Sequence, residues 1–475
     1  MKPLQSPLFW IVAAAAVAVL LVIGVGVIAA IKYARRNPPG FLDYVKNPIL
    51  LKELEEENAV DESAIEEAQH WNDKQIETAV RRYVFEDGGP QDYRVLASLG
   101  PRTTTALLKL LGDESLRSKL LTGSDLPFAS VCDLLTENPT AEAVPLLVPF
   151  LEAQSKEIRE GTAELLGTIG ADSVVAPVRK ALQDSDEYVR SYALMGLERA
   201  GEANRLSDAC RQELFPDVQR LLLEGKNCDH AGLLLEMNKD KATEFFLSDA
   251  ILNPKAESLH HVLRELNERG IIVPRERLLV LIEQLEATSL EHPQHFRLAE
   301  ALHCLGKHKN SDDRAILERF LSHSDQDVTK GAADGMLALH GLDGFLDRIW
   351  KAKGPASLTQ PQRNYLAVVS LDDEVNNGGF SQYFFNSSGD DWQTALSGLE
   401  EMGSKERLAM FKEALAKFDK SSPSESRNQR MDQLAKIESG KDSVFDELNT
   451  RYFKYEEDLG VLMMRYVLRN AEAFR

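Results

Sequence analysis

The sequence predicts an all-α protein: an amino-terminal transmembrane helix, a long array of helical repeats, and a small all-helical domain at the carboxyl end. Three observations carry this. An uncharged apolar run opens the chain, a pattern near 30 residues long recurs through the middle, and the periodicity changes after residue 355. At 475 residues the chain exceeds one core, because hydrophobic cores stop growing at roughly 250–300 residues.

The first element is the segment 8–31, LFWIVAAAAVAVLLVIGVGVIAAI, which has no charge. As a helix it would be about 36 Å long, enough to cross a hydrocarbon layer of about 30 Å. A cleaved signal peptide has a shorter apolar stretch. Lys32, Arg35, Arg36 and Lys46 follow the run, and only Lys2 precedes it. Cations stay on the cytoplasmic side, so the large carboxyl-terminal part is expected in the cytoplasm. The cysteines Cys132, Cys210, Cys228 and Cys304 form no close pairs. They read as reduced, buried thiols rather than as a zinc site or a disulfide framework.

Residues 32–75 read as a linker and an acidic helical connector, with eight carboxylates between Glu53 and Glu67. From 76 to 350 the chain repeats itself. A shift of 31 residues lays AVPLLVPFLEAQSKEIREGTAELLGTIG (143–170) over VVAPVRKALQDSDEYVRSYALMGLERAG (174–201). Leu151 falls on Leu182, Ile158 on Val189, Arg159 on Arg190, Leu166 on Leu197 and Gly170 on Gly201. Residues 314–341 and 99–121 follow the pattern more loosely. Each unit is a helix pair whose second helix begins at Ser or Asp, followed by an inward Val or Ile. Neither helix buries its apolar stripe alone, so neighbours must stack.

This pattern resembles HEAT-like repeats of the PBS-lyase type. The resemblance implies a binding scaffold without chemistry of its own. Arg159 and Arg190 are expected to pair with carboxylates of the adjacent repeat. His260 and His261 diverge by about 100° on a helix, and His292, His295, His303 and His308 follow no ligand spacing. The sequence offers no Walker loop, no GxGxxG and no visible nucleophile–base pattern.

The loop KAKGPASLTQPQ (351–362) marks a boundary. Beyond it, RNYLAVVSLDDEV reads as a helix that NNGG stops, because glycine tolerates left-handed backbone. A second short helix, FSQYFFNSSG, puts Phe380, Tyr383 and Phe384 on one face. A third begins near DDW and a fourth at Ser404 as N-cap; helices from MDQLAKIE onward complete the unit. Gly378 or Gly379 is expected at positive φ. Glu374, Asn377, Gln382 and Asn386 are expected to satisfy backbone groups around the turn, with the aromatics in the core. A partner-binding loop made of Glu374, Asn377, Gly378, Gly379, Phe380, Gln382, Tyr383 and Asn386 is the sharper reading.

The stretch EVNNGGFSQYFFNSSGDDWQTALSGLEEMGS resembles the bacterial DNA-mimic domain family, whose pattern E-V-x-N-G-G-F-x-Q-Y-F-x-N is met by Glu374, Val375, Asn377, Gly378, Gly379, Phe380, Gln382, Tyr383, Phe384 and Asn386. The resemblance covers 355–475 and implies a small helical fold and no catalysis. At its boldest it implies an acidic surface that imitates DNA. Residues 355–475 hold 20 Asp and Glu against 15 Lys and Arg, and Lys405, Arg407, Lys412 and Lys417 interrupt the fourth helix. A mimic needs rows of undiluted acid.

The whole chain has a net charge of -20, which disfavours direct contact with nucleic acid. The reading is therefore a membrane-anchored, non-catalytic protein-interaction scaffold, with an unknown protein partner and no cofactor or metal. One alternative is a DNA-mimic regulator that sequesters a DNA-binding protein. Another is an enzyme with its site in 374–392.

Overall fold

The computed structural model describes residues 62–86, 88–123, 125–287, 294–350, 357–438, 443–454 and 457–475. Among them every regular element is an α- or 3-10 helix. The transmembrane part of the expected fold class needs correction. Among the described residues no helix is long and apolar enough to cross a membrane. Residues 8–31, where the span was expected, lie outside the described residues. Even the 26-residue helix Gln360–Phe385 carries Arg363, Asp372, Asp373 and Glu374, and a spanning helix bears such charges only at high cost.

Chain contacts divide the described residues into two compact units, one running through Gly341 and one starting at Leu342. The first stacks amphipathic helices: α1 (Asp73–Phe85), α2 (Pro101–Gly112), α3 (Leu126–Glu137), α4 (Lys156–Ile169), α5 (Val175–Ala181), α6 (Glu187–Glu202), α7 (Phe215–Leu223), α8 (Leu259–Glu268), α9 (Arg275–Glu286), α10 (Gln294–Gly306), α11 (Arg314–Phe320) and α12 (Gln326–Leu339).

Local chemistry sets the repeat. Ser155 caps α4 by accepting from the Ile158 N–H, Asp186 caps α6 by accepting from Tyr188, and Asp325 caps α12 by accepting from Asp327 and Val328. The residue three places after each cap, Ile158, Val189 or Val328, is buried, as are Leu151 and Leu182. Burying such a side chain contributes about 1.5–3 kcal/mol.

Arg159 and Arg190 then use one geometry twice. Arg159 Nη1 donates to the Ala153 and Gln154 carbonyls, and Nε donates to Asp184 Oδ2 at 3.0 Å. Arg190 Nη1 donates to the Asp184 and Ser185 carbonyls, and Nε donates to Asn227 Oδ1 at 3.0 Å. The first arginine meets the expected carboxylate. The second meets an amide, the Asn227 side chain, instead of a carboxylate.

Gly170 ends α4 in the left-handed conformation. Gly201 does not repeat this: α6 runs on to Glu202 and Asn204 takes the positive φ.

The second helices of neighbouring repeats touch backbone to backbone. A Cβ on Gly167 would stand 2.6 Å from the Ala193 carbonyl oxygen, and one on Gly335 would stand 2.6 Å from that of Leu302. Only glycine fits so close an approach. Two glycine seams thus join α4 to α6 and α10 to α12.

The second unit is built from α13 (Gln360–Phe385), α14 (Trp392–Met402), α15 (Glu406–Leu415), α16 (Arg427–Ile437), α17 (Asp446–Tyr452) and α18 (Leu459–Arg469). Its core is aromatic: Phe380, Tyr383, Phe384, Phe411, Phe418, Phe445 and Tyr452 are all buried. Their rings meet at centroid distances such as 4.7 Å for Phe384 and Phe418 and 5.5 Å for Phe380 and Tyr452. Edge-on and offset pairs of this kind add to area burial.

Candidate functional site: the double-glycine bend

Thr359 opens α13 with a reciprocal capping box to Gln362. The helix bends sharply at Gly378 (φ -157°, ψ 20°) and Gly379 (φ 78°, ψ -177°). Gly379 thus adopts the positive φ, and Gly378 does not. The second helical segment ends at Phe385, and Ser387–Asp391 forms a 3-10 turn instead of extending it.

Glu374 shows how sharp the bend is. Its Oε2 accepts from Gln382 Nε2 at 2.7 Å and from Asn386 Nδ2 at 2.8 Å, and its Oε1 accepts from Ser388 Oγ at 2.8 Å. In a straight helix Glu374 and Asn386 would stand about 18 Å apart, beyond the reach of both side chains. One half-buried carboxylate therefore gathers three donors from beyond the bend. Charge-assisted hydrogen bonds are the stronger kind.

The other site candidates sort clearly. Phe380 and Tyr383 are core residues. Gln382 and Asn386 serve Glu374 rather than backbone groups. Asn377 and Gly378 are exposed. The Asn377 side chain makes no hydrogen bond among the described residues, so its expected backbone role falls away.

Asn449 on α17 does that work. Its Oδ1 accepts from the Phe380 N–H at 3.0 Å. The bend frees this N–H from the helical ladder, and only a long-range partner supplies an acceptor.

Arg430 is the second residue that sequence reasoning missed. Its side chain is fully buried. Nε donates to the Phe384 carbonyl at 2.7 Å. Nη1 donates to the Ser424 carbonyl at 2.6 Å, and Nη2 donates to the Asn386 carbonyl at 2.8 Å and to Asp390 Oδ1 at 2.6 Å. A planar guanidinium suits such a multi-carbonyl clamp.

Ser404 is not the N-cap of α15. The Glu457 carboxylate takes that place, accepting from the Lys405 N–H at 2.6 Å and the Arg407 N–H at 3.3 Å. An anion at a helix amino terminus is favourable.

Chemically, the bend is closed. Glu374 is occupied on both oxygens. Burial and the nearby charges Asp391, Glu374 and Asp390 push the Tyr383 phenol far up, while Arg430 pulls it down. Burial, with Asp390 and Glu425, also raises the Asp391 carboxyl.

In the repeat unit, Ser191, His230 and Glu198 do align. His230 Nε2 lies 2.8 Å from Ser191 Oγ, and Nδ1 lies 3.0 Å from Glu198 Oε1. Burial lowers the His230 proton affinity, but Glu198 and Asp229 more than restore it, so its pKa is raised. Ser191 sits in the second turn of α6 rather than on an exposed strained turn, and Asp229 Oδ2 stands 3.4 Å from the same Nε2. The imidazole pins adjacent repeats between two acids. Acyl transfer also needs oxyanion donors aimed at the reacting centre.

The three cysteines Cys210, Cys228 and Cys304 are buried free thiols, and Cys132 is half-buried and also free.

Stacked helix pairs followed by a small helical unit folded around a glycine bend define a helical-repeat protein with an added carboxyl-terminal domain. Residues 129–223 match HEAT repeats, and residues 356–470 match the family described as DMP19-like protein. No curated protein matches the chain.

Proposed function

We propose that the protein is a non-catalytic interaction scaffold whose helical-repeat unit holds a protein partner. The stacked HEAT-repeat geometry carries this reading: it presents an extended series of helices whose exposed faces change while the core pattern stays fixed. The closed state of the bend supports it too, because Glu374 and Arg430 are already occupied by the protein's own groups.

A second reading, a regulator that imitates DNA, draws support from the DMP19-like match and the net charge of -20. In the carboxyl-terminal unit, however, several acids have local partners. Glu400 pairs with Lys412, Glu413 with Arg451, Asp390 with Arg430, and Glu457 caps α15. Such pairing weakens the summed field that steers a DNA-binding surface.

The test is affinity capture with the full chain, mass spectrometry of the bound proteins, and saturable rebinding of the purified partner. The scaffold reading expects a partner that duplex DNA does not displace. Competitive displacement by duplex DNA would establish the mimic instead, and the absence of any saturable partner would overturn both.

A further inference from the structure

We propose that Glu300 makes the joint between α8 and α10 a pH-sensitive hinge, closed while its side chain carries a proton and opened when the proton leaves. The hinge belongs to the stack itself, whichever partner the stack holds. α10 packs on α8 at one flank and on α12 at the other. On the α12 flank the backbones touch around Glu300: a Cβ on Gly331 would collide with the Ala299 backbone, and one on Gly335 would stand 2.6 Å from the Leu302 carbonyl oxygen. On the α8 flank side chains make the joint. Asn267 Nδ2 donates to Glu300 Oε2 at 3.5 Å, and Cys304 Sγ donates to the Leu263 carbonyl at 3.7 Å. Both are long contacts, and hydrogen bonds weaken with length, so the α8 flank is the one that gives.

The charges around Glu300 do not favour its ionised form. Arg264 on α8 attracts the carboxylate, while Asp334 on α12 and Glu268 on α8 repel it. Lys330 on α12 and Lys307 on the chain after α10 act on Asp334. On α10 itself His303 and Cys304 follow one turn after Glu300. α9 also packs on α10, but its Arg275, Arg277 and Glu286 are bound to Asp313, Asp249 and Arg319, and its Glu276 and Glu283 are exposed. Burial, with the two neighbouring acids, therefore holds the Glu300 carboxyl up at about 7, and burial raises Asp334 as well. A carboxyl in the opened joint returns toward its ordinary 4.5. The folded value is the higher one, so closure is favoured in full below about pH 4.5 and loses that support as pH rises through about 7. Opening on the α8 side hydrates the new charge and draws it away from Glu268.

The test is hydrogen exchange of the full chain at pH 6 and pH 8, read segment by segment and corrected for the intrinsic pH dependence of exchange. Expected is about tenfold more frequent opening of α8 and α10 at pH 8, with α4 and α12 unchanged. Glu300→Gln should keep both helices equally protected at the two pH values. Asp334→Asn removes one repelling charge and should shrink the change in a chain that keeps Glu300. No change in the unsubstituted chain, or the same rise in Glu300→Gln, would overturn the hinge. A rise shared evenly by α4, α6 and α12 would overturn it too, by showing general loosening. A rise confined to α6 and the turn at 228–230 would assign the pH response to His230 instead.

Discussion

Asn449 Oδ1 accepts the backbone N–H of Phe380 at 3.0 Å, and the same amide fills the space beside Gly379. A Cβ on Gly379 would stand 2.7 Å from Asn449 Cγ. Positive φ and a close neighbour thus both demand glycine. Gly379→Ala is expected to destabilise the carboxyl-terminal unit by about 1–3 kcal/mol. Asn449→Ala, which orphans the Phe380 N–H, is expected to cost about 1–3 kcal/mol. Urea denaturation followed by hydrogen exchange in α13 and α17 reads both. An unchanged midpoint in Gly379→Ala would refute the strain argument.

Arg430 gives a larger effect. Arg430→Met leaves the Phe384, Asn386 and Ser424 carbonyls without their donor. Each buried orphan costs roughly 1–3 kcal/mol, so the unit should lose on the order of 3–5 kcal/mol. Arg430→Lys should rescue little, because an ammonium lacks the planar fork. Full rescue by lysine would mean that charge, not geometry, holds the bend.

Glu374 and Asn377 separate structure from recognition. Glu374→Ala removes the acceptor of three side-chain donors and should cost about 1–3 kcal/mol. Asn377→Ala should change stability by no more than about 0.5 kcal/mol, as exposed substitutions do. Partner binding measured beside melting then tells the two readings apart. Loss of binding in Asn377→Ala at unchanged melting temperature would make the exposed edge of the bend a contact surface.

Glu300, half-buried between repeats, predicts a pH dependence. Burial pushes its carboxyl up from 4.5 to about 7, against a weak pull from Asn267. A folded value above the unfolded one means that stability is present in full below about 4.5 and is lost as pH rises through about 7. His230, also raised, adds the same sign as pH passes its folded value. Glu300→Gln should therefore flatten the slope and raise stability at pH 8 by on the order of 1–2 kcal/mol. Urea midpoints at pH 5 and pH 8 check this; identical slopes in the two proteins would refute it.

The repeat was legible because its signals are local. Ser155, Asp186 and Asp325 announce helix starts, and Ile158, Val189 and Val328 follow at the fixed inward place. The aromatic face Phe380, Tyr383, Phe384 and a left-handed glycine were legible for the same reason. What stayed hidden are contacts closed over long sequence distances. Glu457 caps a helix that begins some fifty residues earlier in the chain, and Arg430 reaches back to the Phe384 and Asn386 carbonyls. Asn449 supplies the acceptor that Asn377 was expected to provide. Even the repeat logic failed where one residue changed its partner: Arg190 donates to the Asn227 amide where Arg159 meets the Asp184 carboxylate.

The glycine seams of the repeat unit carry a mechanical consequence. Where α4 meets α6 and α10 meets α12, backbone rests on backbone at the glycines, so those points have no soft layer to compress. Side chains separate the helices in between, and rotamer changes can take up strain there. Load on such a stack is not shared evenly. A bound partner that alters the curvature of the array is expected to do so between the two seams rather than at them.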